Sequence, residues 1–146
     1  MKIMFIGTSG VHHPLLAAYS FLNIAVQDLN DMPVFGNARL DAAGSPLYIG
    51  EDSRGNQVYT LGMGKEVLLG KKAIEDLVKI LGFSSRDLIV EPVSVLGETW
   101  LPSLNKISLF LGGNFILRRL SYRFLRMQHR HIFRQVNEIS KKIAAD

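Results

Sequence analysis

One stretch near the start of the chain decides the fold: Lys2-Ile3-Met4-Phe5-Ile6-Gly7-Thr8-Ser9-Gly10-Val11-His12-His13-Pro14. Residues 2–7 carry a continuous apolar run that ends in glycine, which is typical of a strand buried on both faces of a sheet. Pro14 suits the first turn of a helix, because its missing N–H would have no partner there. Residues 15–26 continue that helix. The stretch therefore predicts the order strand, glycine loop, helix.

The rest of the chain continues the alternation of strands and helices. The predicted elements are, in order, a surface loop over 30–45, a hairpin of strands at 47–49 and 58–61, a helix over 65–81 and a buried strand over 87–91. In the helix, Glu75 and Lys79 are spaced to form an ion pair. Its apolar positions recur at helical spacing: Val67, Leu68, Ile74, Leu77, Val78 and Leu81. We expect an α/β fold, a single layered domain over residues 1–146 with a small mixed sheet, flanking helices and a long basic C-terminal helical segment.

The composition excludes several classes of protein. The chain has 146 residues and contains no cysteine. This length is enough for one domain with its own core, and the lack of cysteine excludes disulfides, thiolate metal sites and cysteine nucleophiles. The first apolar run is too short for a signal peptide, and polar residues interrupt the longest one, 104–117, so no transmembrane segment is expected. The expected compartment is the cytoplasm.

Charge is distributed unevenly along the chain. Residues 1–105 hold 8 Lys/Arg and 11 Asp/Glu, whereas residues 106–146 hold 9 and 2. At about 100° per residue, six cations of the helix predicted over 115–144 fall on one face. They are Arg119, Arg123, Arg126, Arg130, Arg134 and Lys141. This basic stripe suits nucleic acid, an acidic membrane surface or a protein partner, and a solvated helix face gives the same pattern.

The loop after the first strand is the strongest candidate for a ligand site. It contains Gly7, Thr8, Ser9, Gly10, Val11, His12 and His13. A loop in this position brings backbone N–H groups to the positive end of a helix, which favours an anion such as phosphate. The loop resembles a degenerate P-loop, because His12, His13 and Pro14 replace the second glycine, the lysine and the hydroxyl of that motif. Ordinary nucleotide hydrolysis is therefore not expected.

The loop histidines, His12 and His13, are candidate catalytic residues, because imidazole changes charge near neutral pH. If strand 87–91 runs parallel to the first strand, Glu91 and Glu98 emerge at the same sheet edge and are further candidates. No third ligand accompanies the adjacent histidines, so no metal site is predicted, and no cofactor is identified. The alternative interpretation is that the glycines only form a tight turn and the histidines pack near the helix start.

Short motifs are spread over nearly the whole chain. They are Gly10-Val11-His12 with Leu15-Leu16-Ala17-Ala18, Leu47-Tyr48-Ile49-Gly50-Glu51-Asp52, Gly55-Asn56-Gln57-Val58-Tyr59-Thr60-Leu61-Gly62, and Gly112-Gly113 followed by Arg118-Arg119. Together they resemble a domain-of-unknown-function family of short proteins from Firmicutes. Gly10 and His12 match the Gly-x-His loop of that family, whereas His13 stands where a serine is expected. The resemblance implies a grouping and no mechanism.

Two hypotheses of function follow from these features. The first is binding of a phosphate-bearing small molecule at residues 7–14, with His12 as the catalytic residue if the protein is an enzyme. The second is a non-enzymatic interaction module that binds an anionic macromolecule through the basic stripe. Assembly into a homo-oligomer through the C-terminal helices is a further expectation.

Overall fold

The computed structural model describes residues 1–25, 32–42, 44–84, 86–93 and 132–141. Its elements are β1 (Lys2–Gly7), α1 (His13–Phe21), α2 (Ala38–Ala42), β2 (Leu47–Glu51), β3 (Gln57–Gly62), α3 (Val67–Ile80) and β4 (Leu88–Pro92). Residues 132–141 are also helical and are called α4 below. The predicted strand, loop, helix order and the predicted hairpin are confirmed.

The four strands form one mixed sheet in the order β2-β3-β1-β4. The central strand β1 runs parallel to β3 on one side and to β4 on the other, and β2 pairs antiparallel with β3. A parallel strand between two neighbours is covered on both faces, which explains the continuous apolar run of β1. The α/β class, with a small mixed sheet and flanking helices, is therefore confirmed.

The side chains of β1 divide between two apolar clusters. Ile3 and Phe5 are fully buried on one face of the sheet, where α1 and the inward residues of α4 cover them. Ile6 is fully buried on the other face, where it packs with Leu61 and Val90 beneath α3. Alternate side chains of a strand point to opposite faces, so one strand contributes to both clusters.

Helix α1 is shorter than predicted, because it ends at Phe21 rather than at residue 26. Asn23 adopts a left-handed conformation with φ of 53°. The N–H of Ile24 donates to the carbonyl of Tyr19 at 3.0 Å, and the N–H of Asn23 donates to Ser20 at 3.1 Å. This pair of bonds is the Schellman ending of a helix. Its left-handed position is usually occupied by glycine and sometimes by asparagine. Asn23 was therefore a stop signal in the sequence.

The stretch predicted as a surface loop over 30–45 contains the short helix α2. Asn37 caps its start, since its Oδ1 accepts the N–H groups of Arg39 at 3.2 Å and Leu40 at 3.3 Å. An asparagine side chain in this place satisfies N–H groups that have no partner within the helix. The prediction of a loop was wrong here, and the cap is the signal that it missed.

Helix α3 uses only part of its apolar surface against the sheet. Val67 and Ile74 pack on the second cluster, whereas Leu68, Leu77 and Leu81 are exposed. The apolar positions that recur at helical spacing therefore do not all lie on one buried face, because they span a wider arc than one sheet covers. The predicted pair of Glu75 with Lys79 is also replaced. Instead, Lys71 pairs with Glu75 at 3.6 Å and Lys79 pairs with Asp76 at 3.9 Å.

The turn between β2 and β3 is organised by the carboxylate of Asp52. One oxygen accepts the N–H groups of Arg54 at 2.8 Å and Asn56 at 2.9 Å, and the other accepts the side-chain amide of Asn56 at 2.8 Å. Burial opposes ionisation of Asp52, but the hydrogen bonds from Asn56 and Arg54 favour the charged form and lower the pKa of this carboxyl from its ordinary value. The ionised carboxylate therefore stabilises the hairpin.

Replacing Asp52 with alanine is expected to lower the free energy of unfolding by about 1–3 kcal/mol at neutral pH, because three hydrogen bonds to a charged group are lost. A carboxyl whose pKa is lowered by folding stabilises the native state above its unfolded pKa, and this stabilisation is lost as the pH falls through the folded pKa. The difference between wild type and Asp52→Ala should thus shrink in acid, below about pH 4.

Urea denaturation at a series of pH values measures this difference. Glu51→Ala is the matched control, since Glu51 is an exposed neighbour in the same hairpin, and its effect should stay within about 0.5 kcal/mol. A constant difference between wild type and Asp52→Ala at all pH values would contradict the role given to the ionised carboxylate.

Candidate functional site

The loop that follows β1 lies where the carboxyl ends of three parallel strands meet. Past the end of β3, the N–H of Met63 donates to the carbonyl of Gly7 at 2.8 Å. Past the end of β4, the N–H of Val93 donates to the carbonyl of Ile6 at 2.8 Å. In open α/β sheets, ligands bind beyond the carboxyl ends of the strands. The loop therefore occupies the position at which a site is expected in this class of fold.

The loop backbone packs closely against the end of β3. A Cβ atom on Gly10 would lie 2.8 Å from the backbone N of Gly62 and 3.0 Å from the carbonyl carbon of Leu61. A Cβ on Gly62 would in turn lie 2.9 Å from the N of Gly10. Two glycines thus allow two backbones to approach at a distance that no other residue permits. This contact requires glycine on both sides.

A carboxylate of the protein already binds the loop. The N–H of Gly10 donates to Oδ1 of Asp41 at 2.7 Å. Asp41 is half-buried and lies on α2, whose start is set by the Asn37 cap. The distance is short, as expected for a hydrogen bond to an ionised acceptor. Sequence reasoning missed Asp41 because it placed this residue in a loop with no defined position.

Ser9 and His12 form a side-chain pair within the loop. Oγ of Ser9 lies 2.7 Å from Nδ1 of His12, and the ring tautomer decides which atom donates. Phe35 packs edge-on against the His12 ring, with 5.6 Å between ring centroids. Ser9 is 1% exposed and His12 is 2% exposed. A hydroxyl beside an imidazole is the pairing that activates a nucleophile, but here it is closed to solvent.

The other predicted loop residues differ in their access to solvent. Val11 and His13 are fully buried, and His13 is the first residue of α1. Thr8 is half-buried, and its carbonyl accepts the N–H of Gly64 at 3.2 Å. The accessible rim of the loop is therefore formed by Thr8, Asp41 and Gly62, which are all half-buried. The two histidines lie beneath this rim.

The acidic candidates are not placed equally. Glu91 lies on β4, which is parallel to β1 as the sequence argument required, and it is half-buried opposite Phe5. Phe5 lies two residues before Gly7, where the loop begins, so Glu91 is placed along the sheet below the loop. Glu91 also lines an open groove of about 420 Å³ between α3 and β4. Two lysines and a second glutamate from α3 line the same groove, so its charge does not favour an anion. Glu98 lies outside the described residues.

The basic stripe falls mostly outside the described part of the chain. Arg119, Arg123, Arg126 and Arg130 are not among the described residues. On α4, Arg134 and Lys141 are exposed. The apolar side of α4 packs into the first core cluster through Ile132, Val136 and Ile139. The described part of α4 thus has one buried apolar side and exposed cations.

The described ranges of the chain lack two other kinds of feature. Within them, no helix is long and apolar enough to cross a membrane. The same ranges contain no group of three or more His, Asp or Glu side chains arranged to hold a metal ion.

Comparison with other proteins places the chain in a family. Neither the curated proteins nor the solved structures contain a match to it. A family profile, by contrast, matches residues 2–141, which include every element described above. The chain belongs to the family described as "Protein of unknown function (DUF3189)".

Proposed function

We propose that this protein binds a phosphate-bearing small molecule at the loop 7–13, and that an anionic oxygen of the ligand replaces the Asp41 carboxylate on the N–H of Gly10. The observation that carries this proposal is the 2.7 Å bond between Gly10 and Asp41. A backbone N–H that binds a carboxylate oxygen has the direction and the partial charge needed for a phosphate oxygen. Asp41 then keeps this N–H paired while no ligand is bound.

Two further features support an anion at this place. The loop leads directly into α1, and the start of a helix carries a partial positive charge. His12, the residue at the cap of α1, makes no side-chain hydrogen bond to the helix. The rim residue Gly62 has no side chain, and the Asp41 carboxylate lies against it, since a Cβ there would be 2.5 Å from Oδ1 of Asp41. This place is therefore open to an anion only when Asp41 leaves it. An anion at this rim would lie near both the N–H of Gly10 and the start of α1.

Catalysis by His12 is a separate step of the proposal. The Ser9 and His12 pair is buried below the rim, so a reacting group reaches it only after the loop opens. In that state, His12 would exchange a proton with the ligand or with Ser9, as imidazole does in general acid and base catalysis. Binding at the rim does not depend on this step, and the two can be tested apart.

The competition between Asp41 and the ligand gives a measurable result. Asp41→Ala is expected to bind inorganic phosphate about tenfold more tightly than wild type, because the variant lacks both the competing acceptor and a negative charge beside the site. Tenfold corresponds to about 1.4 kcal/mol. Isothermal titration calorimetry with inorganic phosphate measures the affinity, and thermal shift with nucleotides and phosphorylated metabolites searches for the natural ligand.

Glu51→Ala is the control for loss of one carboxylate. Glu51 pairs with Gln57, which pairs with Lys2, so it lies at the opposite end of the sheet from the loop. The affinity of the Glu51→Ala variant for phosphate should equal that of wild type. Equal affinities in wild type, Asp41→Ala and Glu51→Ala would contradict the proposal. In His12→Ala, phosphate binding should persist while any turnover of phosphorylated compounds is lost, which separates binding from catalysis.

A further inference from the structure

Helix α3 carries an apolar stripe that the sheet does not cover. Its members are Leu69, Ala73, Leu77 and Ile80. Leu69 is 63% exposed, Leu77 is 54% exposed and Ile80 is 80% exposed. An exposed helix face is normally polar, and a contiguous exposed apolar surface marks a site of association.

The stripe is continuous along the helix. At about 100° per residue, its four members fall within about 80° of one another. They lie beside the face that packs on the sheet, which includes Val67 and Ile74. The stripe extends from the first turn to the last turn of α3, so it offers a full helix face to a partner. Charged residues border it on the solvent side.

We propose that this surface binds a second copy of the chain, with the two α3 helices packed antiparallel about a two-fold axis close to Ala73. The proposal is independent of the ligand site. Ala73 lies at the middle of the stripe, and a small residue at a crossing lets two helices approach closely. The axis brings Leu69 of one copy level with Leu77 and Ile80 of the partner subunit. A closed two-fold pair uses the same stripe on both copies.

The charges beside the stripe favour this partner and this direction. Lys72 and Asp76 lie one turn apart on the border of the stripe. A two-fold axis between them places Lys72 of each copy opposite Asp76 of the partner subunit, whereas a parallel pair would place these residues on opposite flanks of the interface and would form neither contact. Asp76 currently lies 3.9 Å from Lys79, and both side chains are more than half exposed. An exposed ion pair of this kind is weak, so Asp76 can leave Lys79 and pair with Lys72 of the partner subunit. The ion pairs between the two copies would determine the orientation of the helices more than the affinity of the dimer.

Sedimentation velocity on the full chain over a range of concentrations tests the assembly. Wild type is expected to shift from monomer to dimer as concentration rises. Leu77→Glu should weaken the dimer about tenfold or more, because it places a charge within the apolar interface, opposite Leu69 of the partner subunit. Leu68→Glu is the matched control, since Leu68 is an exposed leucine of the same helix that lies off the stripe. It should dimerise as wild type does.

Two further variants test the geometry. The chain contains no cysteine, so Ala73→Cys should form a disulfide-linked dimer under mild oxidation, while Leu68→Cys should not. Lys72→Asp and Asp76→Lys should each weaken the dimer, and the double variant should restore it. Three results would overturn the proposal: a wild type that stays monomeric at all concentrations, a Leu77→Glu variant that dimerises normally, or cross-linking through Leu68→Cys in preference to Ala73→Cys. Circular dichroism verifies that each variant is folded.

Discussion

Replacing Gly10 with alanine is expected to lower the free energy of unfolding by about 3 kcal/mol or more. The added methyl group would lie 2.8 Å from the backbone N of Gly62 and 3.0 Å from the carbonyl carbon of Leu61. Both atoms belong to the backbone of β3, whose pairing with β1 extends to Leu61 and Gly62 and holds them in place. Relief of the clash requires the loop to lift from β3, which also breaks the bond between Gly10 and Asp41.

Urea denaturation of Gly10→Ala measures this loss, and Gly50→Ala is the matched control. A Cβ on Gly50 meets only Cδ1 of Leu22, at 3.0 Å. The end of a leucine side chain is able to rotate away, so this variant should lose less than about 1 kcal/mol. If Gly10→Ala were as stable as Gly50→Ala, the loop would not lie against β3 and the candidate site would lose its geometry.

Replacing Phe5 with alanine is expected to destabilise the protein by about 3–5 kcal/mol, the usual cost of removing a fully buried aromatic ring. Phe5 is completely buried at the centre of the sheet, between β3 and β4. Its ring packs on Phe21 of α1, with 5.9 Å between the centroids. The cavity left by alanine would lie within the first apolar cluster, and the surrounding residues would close it only in part.

Equilibrium denaturation also measures this effect, with Phe133→Ala as the control. Phe133 lies on α4 and is 47% exposed, so its loss should cost about 1 kcal/mol. Native proteins usually have a free energy of unfolding of about 5–15 kcal/mol, so the loss expected for Phe5→Ala would leave this variant with little stability. Phe5→Leu keeps most of the volume and should remain folded with a loss of about 1–1.5 kcal/mol. Equal losses in Phe5→Ala and Phe133→Ala would contradict the central position of Phe5.

The sequence predicted the strands better than the ends of the helices. The strand β1 is identified by its apolar run, and β3 is identified by the turn residues that precede it. Both signals lie in residues adjacent in the chain, so they can be read from the sequence. The end of α1 was misplaced because apolar residues continue past Asn23, and the left-handed conformation of that residue overrides their periodicity. The end of α3 was predicted at residue 81, one residue beyond the observed end at Ile80, and Gly82 follows in a left-handed conformation.

The apolar pattern of α3 predicted a helix correctly, but it did not predict which of its apolar residues the sheet covers. Periodicity shows that apolar residues share a side of the helix, but it does not show how much of that side a neighbour covers. The sheet covers Val67 and Ile74 and leaves Leu77 exposed. The exposed stripe is therefore visible only after the helix is placed on the sheet.

The position of the loop 7–13 between a buried strand and a helix follows from local sequence, because both elements form from residues adjacent in the chain. The contacts of the loop depend instead on how distant segments pack. Asp41, 31 positions away in sequence, reaches the N–H of Gly10 because α2 carries it to the end of the sheet. Pairing of β1 with β3 brings Gly10 against Gly62. Local sequence does not encode contacts between distant segments, since packing of the whole sheet selects them.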